Sequence, residues 1–251
     1  MSGHSKWSTI KRQKGAADAK RGQLFTKLSR EIELAARTGD PDPEMNFRLR
    51  LTVQKARSHN MPVENIERAI KRAAGGAEGT HLVEATYEGY GPGGTAILVE
   101  TLTDNKNRTT AEIRSIFIRS NSNLSDSGCV TWIFQPKGVI TVSASAGDAE
   151  KLELQAIDAG AEDVKEEGGV LEIQTEPEGL EKVKRALEEQ GIKIASAELT
   201  RVPQNIIALD EKTAIPTLKL MDRLEELDDV QRVFINADFP DKALETYRSQ
   251  G

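Results

Sequence analysis

The chain has 251 residues, of which 37% are hydrophobic and 29% charged, and its formal net charge is −6. Such a composition is that of a soluble globular protein long enough for two or three domains, and 4% aromatic residues predict aliphatic cores. No apolar run approaches the roughly 18 residues that suggest a membrane span. The single cysteine, Cys129, excludes an internal disulfide framework and fits a reducing cytoplasm.

Charge is distributed unevenly. The first thirty residues carry Lys6, Lys11, Arg12, Lys14, Lys20, Arg21, Lys27 and Arg30 against one acid, Asp18. Residues 1–76 sum to +8 and the remainder to −14. An acidic body with a basic module predicts a polyanionic partner for that module, with contact confined to one face. Trp7 stands among the cations, where an indole can stack on a base or sugar. No apolar stretch follows the positive charges, so the start does not read as a secretory signal.

Ala16 to Arg37 reads as a helix, with Leu24, Phe25, Leu28, Ile32, Ala35 and Ala36 on one face. Gly39 stops it, and Asp42-Pro43 predicts the cap and first residue of a second helix running to about Ser58. Met45, Leu49, Val53 and Ala56 are its expected inward residues. A third helix from Pro62 to Gly75-Gly76 buries Val63, Ile66, Ile70 and Ala73, and leaves Arg68, Lys71 and Arg72 exposed to extend the basic surface.

From Leu82 the pattern changes to β-branched residues and alternation. Ala85–Tyr90 and Thr95–Leu102 read as strands around Gly91-Pro92-Gly93-Gly94. That loop lacks the Lys-Ser/Thr and the following helix of a nucleotide-binding loop, so a tight turn needing positive φ explains it better. Thr109–Ser120 is helical. Before it, Lys106 and Arg108 oppose the helix dipole, which suggests retention for contact with an anion; Asp104 or Asn107 can cap.

Further strands are expected at Val130–Phe134, Gly138–Val142, Gly169–Gln174, Ile194–Arg201, Ile206–Leu209 and Val230–Asn236. Helices are expected at Ala149–Asp158, Pro177–Gln190 and Ile215–Leu227. The α+β pattern, with helices on one face of antiparallel sheets, divides the chain into three. A basic helical domain spans 1–80, a discontinuous α+β domain spans 81–134 plus 204–240, and an acidic α+β domain, 135–203, is inserted into it.

Enzyme chemistry is poorly supported. His4, His59, His81 and Cys129 make no metal-ligand spacing, no nucleophile-elbow pattern occurs, and Cys129 reads as a small buried residue. No cofactor is expected.

Several stretches together resemble the YebC/PmpR family, which includes the mitochondrial translational activator of cytochrome oxidase. They are Met1-Ser2-Gly3-His4-Ser5-Lys6-Trp7, Arg21 to Leu28, Ala73-Ala74-Gly75-Gly76, Tyr87 to Gly94 and Thr103 to Arg108. The resemblance covers essentially the whole chain. It implies an N-terminal helical domain and two α+β, ferredoxin-like domains, the third inserted into the second, in a cytoplasmic bacterial protein. Members are described as probable transcriptional regulators that bind DNA. A competing description places the family on the ribosome, binding large-subunit ribosomal RNA and relieving stalled translation. Neither a recognition helix nor an RNA-stacking motif in the residues decides between the two. The expected nucleic-acid-binding residues are Lys6, Trp7, Lys11, Arg12, Lys14, Lys20, Arg21, Lys27, Arg68, Lys71, Arg72, Lys106 and Arg108.

Overall fold

A computed structural model describes residues 18–74, 82–143 and 149–249. Leu28, Ile32, Ala35 and Ala36 recur at helical spacing in α1 (Asp18–Thr38) and pack against Leu49, Val53 and Ala56 of α2 (Phe47–Ser58) and Ile66 and Ala69 of α3 (Val63–Ala74). These three helices form the N-terminal unit. The second begins later than Pro43 suggested, because Asn46 takes over the cap. Its Oδ1 accepts from Leu49 N at 3.0 Å, while its Nδ2 donates to Ala35 O and Asp40 O at 2.8 Å. The chain before it turns on the Asp42 carbonyl, which leaves Met45 75% exposed instead of inward. Val63 is also exposed, whereas Ala69, which the sequence reading passed over, is fully buried.

The first sheet is antiparallel with order β3-β1-β2-β9, from β1 (Val83–Tyr90), β2 (Ala96–Thr103), β3 (Asn123–Ser125) and β9 (Val230–Ile235). The loop between β1 and β2 is the expected tight turn. Gly93 and Gly94 have φ of 72° and 74°, and a Cβ on Gly93 would stand 2.9 Å from Leu209. One face of this sheet is covered by α4 (Lys106–Arg119), α7 (Glu211–Glu225) and α8 (Asp241–Ser249), around Ile97, Val99, Phe117, Leu218, Met221 and Val233. A two-residue parallel pairing joins β8 (Ile207–Ala208) to β10 (Ala237–Asp238).

Between β3 and β9 the chain builds a second antiparallel sheet of order β5-β6-β4-β7. Its strands are β4 (Phe134–Ser143), β5 (Asp163–Glu167), β6 (Val170–Thr175) and β7 (Ile194–Pro203). Here α5 (Ala149–Ala159) and α6 (Leu180–Glu189) pack over Ile140, Val142 and Ile173. The fold is thus a three-helix unit followed by two α+β units, the second inserted in the first. Leu51 and Phe47 on the other face of α2 join this last core, and Arg50 pairs with Glu181 at 2.5 Å, so α2 is anchored on two sides.

One expected strand is replaced. Residues Thr131–Ile133 form a single 3-10 turn, and β4 starts only at Phe134. The cause is Glu88, buried to 2% exposure on β1. Its carboxylate accepts from the backbone N–H groups of Gly128, Val130 and Thr131 at 2.7, 2.7 and 2.8 Å, curling the segment around itself. Burial works against the charge of Glu88, but the backbone hydrogen bonds outweigh it and hold its pKa below the ordinary glutamate value.

Candidate nucleic-acid interface

Of the thirteen expected contact residues, Lys6, Trp7, Lys11, Arg12 and Lys14 lie outside the described residues, as does the side chain of Lys20. Arg21 is exposed near the start of α1. On α3, Arg68 and Lys71 point into solvent, and Arg72 lies 3.8 Å from Glu33, which Arg37 also engages at 2.8 Å. Lys106 is exposed at the first turn of α4.

Two expected contacts, Lys27 and Arg108, converge on a place no motif indicated, the acidic turn Glu225-Glu226-Leu227-Asp228-Asp229 between α7 and β9. Lys27 Nζ donates to the Glu225 carbonyl at 2.5 Å, and the Gln23 amide donates to the Glu226 carbonyl and to Asp228 Oδ1. Arg30 donates to Asp228 O at 2.8 Å and to Asp229 Oδ1 at 2.9 Å. From the other side Arg108 reaches Asp229 Oδ2 at 2.6 Å and Asp104 at 2.7 Å. Thr109 and Thr103 hydroxyls complete the shell at 2.7 and 3.0 Å.

Asp229 therefore anchors three elements through one carboxylate. Its side chain is 4% exposed, yet its pKa is below the ordinary aspartate value, because hydrogen bonds from Arg108, Thr109 and Thr103 override the penalty of burial. The same pairing raises the Arg108 guanidinium. The expectation that Arg108 opposes the dipole of α4 in order to meet an anion is answered within the chain, since an internal anion is present. Asn105 caps α4, accepting from Arg108 N at 3.1 Å, a role the sequence reading gave to Asp104 or Asn107. Lys27 at the carboxyl end of α7 is favourably placed for the helix dipole and docks the N-terminal unit on the body. A long-range pairing of this kind leaves no local sequence signal beyond the acidic run itself.

A cleft of roughly 740 Å³ lies where the three units meet. Two of its ion pairs cross between units, Arg48 with Glu84 at 3.0 Å and Arg201 with Glu100 at 2.6 Å, while Lys55 with Glu31 at 3.1 Å ties α2 to α1 within the helical unit. Burial opposes the Glu31 charge, and the Lys55 and Arg232 charges overcome it, leaving its pKa low. The cleft is an electrostatic joint between units. Cys129 is half-buried, and burial together with the Glu88 charge pushes its thiol up, away from the reactive thiolate. Among the described residues no group of three His, Cys, Asp or Glu could hold a metal, and no helix is long and apolar enough to cross a membrane.

Family comparisons agree with this architecture. A model described as the TACO1/YebC protein N-terminal domain matches residues 5–76, and one described as the TACO1/YebC second and third domain matches 82–237. A probable transcriptional regulatory protein of Dehalococcoides mccartyi is 56% identical over 250 residues, covering 100% of both chains. Another of that name from Geobacter sp. (strain M21) is 53% identical over 245 residues, covering 98% of this chain and 99% of its own. The crystal structure of a conserved hypothetical protein from Aquifex aeolicus superposes with a TM-score of 0.81 at 49% identity, covering 89% of this chain and 92% of the other. With its helical unit and both α+β units matched in order, the chain belongs to the TACO1/YebC family.

Proposed function

We propose that this chain is a non-enzymatic, cytoplasmic regulator of gene expression that binds nucleic acid through its N-terminal unit, with duplex DNA as the first target to test. The observation that carries the reading is charge segregation, +8 over residues 1–76 against −14 over the rest. The docking of α1 on the acidic turn supports it, because the cations that continue outward, Arg68, Lys71, Arg72 and Lys106, are then presented on a fixed frame. Lys27 and Arg108 contribute by holding that frame together. The names of the relatives favour transcription. A second reading, a ribosome-associated factor on large-subunit RNA that relieves stalling, is favoured by Trp7 among the opening cations, since an indole suits unpaired bases.

Contact with about five phosphates predicts that log affinity falls with log salt at a slope of roughly −4 to −5. Replacing Lys11, Arg12 and Lys14 by alanine should flatten it by up to about 3 units. Measuring anisotropy with promoter duplexes, random duplexes and large-subunit particles across a salt series separates the readings. Selective tight binding to promoter duplexes supports the first, and selective binding to particles supports the second. Salt-independent binding, or binding unchanged by the triple substitution, removes the cationic segment as the grip. Substitution is preferable to deleting residues 1–30, which would also remove Leu28 from the core of the helical unit.

A further inference from the structure

An extended Cys129-Val130-Thr131-Trp132-Ile133-Phe134 would put Val130, Trp132 and Phe134 on one face. The 3-10 turn separates them. Val130, Ile133 and Phe134 enter a small core with Ala96, Leu98 and Phe234, and Trp132 is turned outward to 66% exposure. The indole is nonetheless held in place. Trp132 Nε1 donates to Cys129 O at 3.0 Å, and the hydroxyl of Tyr90, itself 39% exposed, donates to the same oxygen at 3.2 Å. Two aromatic rings are therefore tethered to one carbonyl on a loop that Glu88 clamps from beneath by three backbone hydrogen bonds.

Amide residues neighbour this pair in register and in sequence. Asn123 lies opposite Tyr90 in the β1–β3 register, Gln204 bonds its backbone N–H to Ile133 O, and Gln135 follows Phe134; all three amide side chains are exposed. The charge on the loop is Asp126, which repels phosphate. Fixed rings beside amides able to read base edges suit an unpaired nucleobase, whose recognition needs a stacking surface and hydrogen-bonding groups and no cation. Tyr90 stands at the far end of β1 from Val83, about 23 Å away at the usual strand rise, while Asp229 and the docked α1 stand at the Val83 end, beside Thr103.

We propose that Trp132 and Tyr90 form a stacking site for an unpaired nucleobase, a second contact separate from the cationic N-terminal unit. The site rests on the nucleic-acid reading above and adds that the ligand presents single-stranded bases. Its test uses the full chain with twelve-nucleotide single-stranded RNA and DNA and with a blunt duplex of equal length. Trp132→Ala should weaken single-strand binding roughly 5- to 150-fold, the range for loss of one stacked base. It should leave duplex binding and the salt slope unchanged, because no phosphate contact is removed. Trp132→Phe, which keeps a ring, should restore most of the loss, and circular dichroism should show both variants folded.

Equal single-strand binding by Trp132→Ala and the intact chain overturns the stacking site while leaving the N-terminal grip standing. Failure of the intact chain to bind either single strand overturns the stacking site, while the nucleic-acid reading is decided separately by the promoter-duplex and large-subunit series above. A change from dimer to monomer in sedimentation on Trp132→Ala, with single-strand binding unaffected, would instead assign the surface to a second copy of the chain and overturn the proposal.

Discussion

Replacing Asp229 by alanine is expected to lower stability by about 1–3 kcal/mol, the cost of leaving hydrogen-bond donors at a buried position short of an acceptor. The substitution deprives the Arg30 and Arg108 guanidinium groups of a shared acceptor and takes one acceptor from the buried hydroxyls of Thr103 and Thr109. It also loosens the contact of α1 with the body, so amides of the helical unit should exchange faster than those of the sheets. Urea denaturation followed by hydrogen exchange measures both effects. A loss under 1 kcal/mol would mean that water or neighbouring acids replace the carboxylate and that Asp229 is not the anchor.

The pH dependence has a defined sign. The folded-state pKa values of Asp229, Glu88 and Glu31 all lie below their ordinary ones, so the unfolded chain takes up protons first as pH falls. Their stabilisation is complete above the unfolded carboxylate values near 4 and declines as pH drops through the lower folded values. Asp229→Asn should therefore be destabilised at neutral pH and show a shallower acid loss.

Glu88→Ala carries the second large effect, about 1–3 kcal/mol for each N–H left buried without an acceptor. Three backbone N–H groups lose their acceptor at once, two of them flanking Val130 in a small core that has little else to compensate. The loop should relax and release Trp132 and Tyr90 from their common carbonyl, so single-strand binding should fall along with stability. Glu88→Gln retains one acceptor oxygen and should fall between. Chemical denaturation with tryptophan emission as a local probe checks this. A variant whose emission and midpoint both match the parent would show that the clamp is dispensable.

Much of the fold was legible. The 3–4 spacing of Leu28, Ile32, Ala35 and Ala36 predicted α1 and its buried face, and the glycines at 91, 93 and 94 predicted a tight turn. These are local signals, in which periodicity or backbone freedom speaks without reference to distant partners. The misses have equally definite causes. Asp163–Glu167 is a charged edge strand, with almost no apolar alternation to reveal it. The start of α2 moved because Asn46 found two carbonyls, one of them on α1. Val130–Phe134 has strand propensity throughout and is curled by a carboxylate forty residues earlier.

The candidate interface divides along the same line. Net charge is a sum over residues and does not depend on conformation, so the basic start and acidic remainder were fixed by composition, as was the family by its motifs. Which cations remain available for an external phosphate depends on pairing, and pairing depends on which residues folding brings within 3 Å. Lys27 and Arg30 meet Glu225 and Asp229 nearly two hundred positions away, and Arg108 meets the same aspartate, so only the tertiary structure could show these cations holding the units together. The outward turn of Trp132 was decided there too, because an apolar residue is exposed or buried according to how the backbone around it is held.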